Sequence, residues 1–132
     1  MRNKIILALL VVFSDQSLKY LARQEIVPQT KGFFDFISIC NPFLSWGIPL
    51  EGLLFWLGWI LAFLGLVFLI LNFSYNWSLF LVLAGAVSNF IDRIFLGCVV
   101  DYLKVGAFPI FNLADVFIVG GVLFFVFKLI KK

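Results

Sequence analysis

Residues 88–115 read SNFIDRIFLGCVVDYLKVGAFPIFNLAD, and they set Asp92, Asp101, Asp115, Arg93 and the amides of Asn89 and Asn112 among aliphatic and aromatic neighbours. A carboxylate moved into hydrocarbon loses its hydration, so ionisable groups within or beside membrane spans mark a functional site by default. Asn89, Asp92 and Arg93 fall at i, i+3 and i+4, which places them on one face of a helix ending near Leu96. Asn112 and Asp115 stand one helical turn apart at the start of a further helix, and Asp101 lies in the connection between the two. The rest of the chain reads as a scaffold for this stretch.

That scaffold is a membrane body. The 132 residues are 64% hydrophobic, 19% aromatic and 13% charged, with a mean hydropathy of +1.13. A soluble domain is about half apolar and about a quarter charged. At about 20 residues per helical span, the length suits four spans and leaves no room for a soluble domain.

Outward from the opening stretch, residues 79–96 form the third span and residues 110–128 the fourth, with 97–109 as their connection. Gly120 and Gly121 in mid-span predict a close helix contact. The clearest span is 53–71, free of charge, with Trp56 and Trp59 near one end where indoles prefer the interface. The first covers 5–24: Arg2 and Lys4 precede an apolar run that resembles a secretory leader, but no small-x-small cleavage site follows. Asp15 and Lys19, four apart in that span, share a face as an ion pair or as a polar lining turned to the bundle interior. Between the first two spans, residues 26–50 are broken by Pro28, Gly32, Pro42, Gly47 and Pro49 around a strand-like GFFDFISICN. The expected fold is therefore an all-α membrane protein of four transmembrane helices, a single domain over 1–132. A small extramembrane β-sheet is expected between spans 1 and 2, resting at the membrane interface.

Four spans put both termini on one side. Arg2, Lys4, Lys128, Lys131 and Lys132 lie there, against Lys19, Arg23, Lys31, Arg93 and Lys104 on the other, so cationic residues alone do not orient the chain. All seven acidic residues fall on the second side, where they neutralise its cations. That asymmetry favours cytoplasmic termini and a polar site at the outer edge. The net charge of +3 is dispersed, which argues against nucleic acid as a partner.

The chain has no histidine, which excludes Ser-His and Cys-His nucleophile pairs, the HExxH zinc site and histidine-ligated haem. Cys40 and Cys98 lack CxxC spacing, two isolated positions do not establish a disulfide, and both read as small apolar packing residues in preference to a catalytic or bridging role. Any catalysis must then run on carboxylates, lysine, serine or cysteine. Two carboxylates converging on one water cannot both ionise easily, so one serves as base and the other as acid. Asp101 and Asp115 are plausible partners because the connection can turn to bring them together, while Asp92 reads as a partner of Arg93 or a helix-end residue. On composition alone such a dyad stands level with an ion or proton pathway built from Asp15, Asp101 and Asp115. The inverted repeats and broken helix pairs of transporters are missing, and a serine-lysine pair of Ser17 or Ser45 with Lys19 has nothing to bring it to one site.

GAVSNFIDR at 85–93, GCVVDY at 97–102 and FPIFNLADVFIVGG at 108–121 resemble, in order and spacing, the bacterial lipoprotein signal peptidases (signal peptidase II), intramembrane aspartic proteases. The resemblance spans essentially the whole chain and implies a catalytic pair at Asp101 and Asp115. It implies supporting or substrate-binding roles for Asn89, Arg93 and Asn112, for Asp15 and Lys19 of DQSLK, and for Asn41 of CNPFLSWG. Leu18 replaces the family's usual Ser or Thr before the lysine, and Phe43 replaces a usual glycine after the asparagine. The implied substrate is a prolipoprotein whose cysteine carries diacylglyceryl, cleaved just before that cysteine by a monomeric enzyme among inner-membrane lipids, with no metal and no cofactor.

Overall fold

The computed structural model describes residues 2–24, 32–42, 52–73 and 76–131, the side chain of Phe55 apart. Expectations resting on residues 25–31, 43–51 and 74–75, among them those for Phe43 and Ser45, lie outside the described residues. Within them the order is α1 (Arg2–Arg23), β1 (Phe34–Asn41), α2 (Gly52–Asn72), α3 (Trp77–Leu96), β2 (Val99–Val105) and α4 (Leu113–Ile130). The four helices run 18 to 22 residues. At 1.5 Å per residue that is about 27–33 Å, the thickness of a bilayer's hydrocarbon core. The chain is an integral membrane protein.

The hub is α3. Of its most apolar window 39% is buried inside the protein, against 6% for α2, which meets the rest chiefly through Trp59 stacked on Phe90 at 3.8 Å. The buried residues of α3 include the small Ser78, Ala84, Gly85 and Ser88 beside Leu79, Phe80 and Val82, and at the small ones neighbouring backbones approach closely. A Cβ on Gly85 would lie 2.5 Å from the Ala114 carbonyl oxygen, and one on Gly121 would lie 2.8 Å from that of Ser78. The expected glycine contact is thus made by Gly121, whereas a Cβ on Gly120 would meet nothing within 4 Å.

Gly97 ends α3 in the left-handed region at φ 75°, its N–H donating to the Arg93 carbonyl, and this turns the chain directly into β2. Here the connection after the third span proves more structured than periodicity suggests. Its residues Val99–Val105 pair antiparallel with β1, Asn41 opposite Val99 and Phe34 opposite Val105, with a bulge between Phe36 and Ile39. The extramembrane sheet is present, and half of it comes from the 97–109 connection. A second difference lies at α4, which starts at Leu113, not 110. Residues 110 and 111 stay extended because Phe111 bridges to Leu103, and Asn112 then caps the helix.

The cysteines correct the sequence reading outright. Cys40 and Cys98 form a disulfide with Cα atoms 5.5 Å apart, so they are a cross-link, not apolar packing. No periodicity carries that information, because the pairing depends on the β1–β2 register. By the chain-entropy model, closing a loop of 58 residues stabilises the fold by about 4 kcal/mol.

Substituting Gly85→Val forces a side chain into the Ala114 backbone and is expected to cost at least about 1–3 kcal/mol of stability, or prevent folding. Gly120→Ala, in open space, should stay within about 0.5 kcal/mol of the native protein. Thermal unfolding in detergent micelles measures both.

Candidate active site

The site grows from a buried ammonium. Lys19 is 2% exposed, and its three N–H donors are all used: on Asp15 Oδ2 at 2.8 Å, Asp92 Oδ2 at 2.9 Å and Asn89 Oδ1 at 2.8 Å. Two carboxylates share one cation, and neutral donors take up their remaining lone pairs. Asp15 Oδ1 accepts from the Tyr102 hydroxyl and the Ala114 N–H, and its Oδ2 accepts from Ser88 Oγ. Asp92 accepts from Gln16 Nε2 and the Val100 N–H. Burial pushes the Tyr102 phenol up, with the Asp15 charge beside it, so the hydroxyl remains a donor. In this way α1 is joined to α3, β2 and the first turn of α4.

This cluster orients the amides. Because Asn89 Oδ1 is held by Lys19, its Nδ2 must face away, and it donates to Asp115 Oδ1 at 2.8 Å. Asn112 is fixed in the same manner by a capping box: its Oδ1 accepts from the Asp115 N–H at 2.9 Å, and its own N–H donates to Asp115 Oδ2. Its Nδ2 is thereby aimed at Asp101 Oδ1, 2.8 Å away. Asn41, at the end of β1, donates to the other Asp101 oxygen at 2.9 Å. One asparagine thus bonds both Asp101 and Asp115.

Asp101 is pushed up to about 6 by burial, with the Asp115 charge adding to the effect and the Asn41 and Asn112 hydrogen bonds opposing it. Both aspartates line a cavity of about 470 Å³, with Asn41, Asn89 and Arg93 at the same end. The charge of Arg93 reaches Asp101, Asp115 and Asp92. The remaining wall is apolar. Along α4, Val116, Val119, Gly120 and Leu123 recur at helical spacing below Asp115, and the valines and leucine are open to the lipid side.

All eight sequence-derived residues, Asp15, Lys19, Asn41, Asn89, Arg93, Asp101, Asn112 and Asp115, therefore meet in one connected region. Asp15 and Lys19 form the ion pair, and both side chains are buried in the bundle interior without lining the cavity. Asp92 has a larger structural role than a helix-end residue, since it is 2% exposed and closes the Lys19 cluster. Gln16, Ser88 and Tyr102 escaped sequence reasoning, although each lies within a quoted motif or stretch. The signal that could have found them is a polar side chain on the same helix face or strand as the buried charges.

A four-helix membrane body with two amide-linked aspartates at the polar end of an apolar cavity has the layout of an intramembrane peptidase of the aspartic type. Residues 7–131 match the family model described as signal peptidase (SPase) II. The lipoprotein signal peptidase of Caldanaerobacter subterraneus subsp. tengcongensis is 35% identical, covering 97% of this chain and 96% of its own. That of Enterococcus faecalis is 37% identical over 89% of this chain and 81% of its own. A solved bacterial membrane enzyme superposes with a TM-score of 0.83 at 33% identity, covering 99% of this chain and 89% of that one. The chain belongs to the signal peptidase II family, whose members are aspartic-type peptidases.

Removing the shared cation tests the cluster. Lys19→Met leaves Asp15 and Asp92 buried without compensation and is expected to cost about 3–5 kcal/mol. Denaturant unfolding of the purified protein reads it, and a variant as stable as the native chain would contradict the structural role.

Proposed function

We propose that this protein removes signal peptides from prolipoproteins, cutting just before the diacylglyceryl-bearing cysteine with water activated by Asp101 and Asp115. The observation that carries the reading is the placement of both carboxylates where a polar pocket meets an apolar groove. A signal-peptide helix and acyl chains fit the exposed α4 stripe from Val116 to Leu123, about 10 Å of helix. The scissile bond then lies beside the aspartates. Binding energy from the remote apolar parts holds the carbonyl in place for attack.

In the chemical step the ionised member of the pair takes a proton from water as its oxygen bonds to the carbonyl carbon. The protonated member gives its proton to the carbonyl oxygen, forming a neutral tetrahedral intermediate. Collapse breaks the C–N bond: the proton taken from water passes to the leaving amine, and a hydroxyl of the intermediate returns its proton to the other aspartate, which re-forms the carbonyl and restores the singly protonated pair. Asn112 keeps the two carboxyls in register, while Asn89 and Asn41 hold their outer oxygens. The Arg93 cation beside them favours charge on the pair.

Asp101, Asp115 and their supporting residues come from one chain, and the enzyme acts as a monomer and a single domain. The termini face the cytoplasm and the site faces outward across the bacterial inner membrane. The Cys40–Cys98 disulfide supports that orientation, because such bonds persist in oxidising compartments, and it lies on the strand carrying Asn41.

The test is release of signal peptide from a purified diacylglyceryl prolipoprotein. Asp101→Asn and Asp115→Asn should each lower the rate roughly 100- to 10,000-fold while the protein stays folded. Near-native cleavage by either variant would contradict the dyad. In the native enzyme, activity should fall as pH rises through about 6, because Asp101, held up by burial and by the charge of an already ionised Asp115, loses there the last proton of the pair.

A further inference from the structure

We propose that the Cys40–Cys98 disulfide is a positioning element of the active site, clamping the end of β1 so that Asn41 stays on Asp101. The proposal rests on the peptidase reading above. Cys40 immediately precedes Asn41, the last residue of β1. Pro42 follows, and without an N–H it cannot extend the ladder. On the far side, the bulge between Phe36 and Ile39 interrupts the pairing, so among the described residues three ladder positions, Ile39, Cys40 and Asn41, hold this end against Asp101, Val100 and Val99.

Packing does little to help that end. Ser38, Ile39 and Cys40 are exposed, and a two-stranded ribbon is marginal without further support. Cys98 is placed quite differently. It is 4% exposed, between the α3 cap Gly97 and the buried start of β2, three residues before Asp101. The disulfide therefore fastens a strand end with little packing of its own to the rigid junction that carries Asp101. Asn41 is adjacent to one sulfur-bearing residue and donates across to Asp101 Oδ2 at 2.9 Å. Without the bond, the strand end can fray from Pro42 inward and withdraw the amide. Cleavage then continues with one carboxylate oxygen no longer held.

Two perturbations test this with the full-length protein in detergent: Cys40→Ser/Cys98→Ser, and native protein reduced by a phosphine, with both thiols confirmed by maleimide labelling. Each should remain folded and lose about tenfold in kcat at neutral pH, the scale of one hydrogen bond to a charged group. The fall in activity near pH 6 should move to higher pH, as it should in Asn41→Ala, because the Asn41 hydrogen bond holds Asp101 down. Adding Asn41→Ala to the cysteine variant should change little further, since both remove one interaction. An unchanged rate and pH profile, or losses that multiply in full, would overturn the proposal. So would unfolding on reduction, which would make the bond only a staple of the fold. Should native protein fail to release signal peptide, the peptidase reading fails by itself. The 13C carboxyl titration of Asp101 in the same variants then still decides the clamp.

Discussion

Three N–H bonds from one buried ammonium set the geometry of everything around the cavity. Lys19 binds Asp15, Asp92 and Asn89, and between them these reach β2 and α4. Asp15 holds Tyr102 of β2 and the Ala114 N–H of α4, Asp92 holds the Val100 N–H of β2, and Asn89 holds Asp115. A charge cluster in a membrane body is unfavourable unless every lone pair is filled, and here the neutral donors Ser88, Gln16 and Tyr102 complete it. Its directionality gives the site a fixed shape that apolar packing in lipid would not supply. Hydrocarbon side chains gain little by leaving hydrocarbon tails.

The same requirement explains why asparagines surround the aspartates. An amide offers a donor and an acceptor at opposite corners, so anchoring one corner aims the other. Asn89 is anchored by Lys19 and Asn112 by the helix cap, which turns their NH2 groups toward the carboxylates. Replacing either by an acidic residue would add a charge, and by an aliphatic one would leave an aspartate oxygen unheld. The close approach of α3 and α4 at Gly85 and Gly121 brings the capped helix end near enough for these short side chains to reach.

Much of this was legible in the sequence, for reasons that differ by element. The four spans follow from hydropathy and length, since a helix in lipid must be long and apolar. Asp101 and Asp115 were singled out by their unusual surroundings, but their chemistry came from motif resemblance, because spacing alone could not exclude a proton pathway. The strand β2 was missed because VVDYLKV carries its polar residues where a plain connection would, and its pairing with β1 is a long-range event. The disulfide depends on that pairing and was hidden with it. Asp92 was undervalued because helical periodicity sets Asn89, Asp92 and Arg93 on one face without revealing that Asp92 turns to Lys19 while Arg93 lines the cavity.

The central claim is that Asp101 and Asp115 act as one electrostatically coupled pair. The direct measurement is the 13C carboxyl titration of Asp101 by NMR, in the native protein and in Asp115→Asn. The account predicts a native midpoint near 6 that falls in the variant, because the Asp115 charge raises it. A midpoint that does not move when Asp115 loses its charge would contradict the pair.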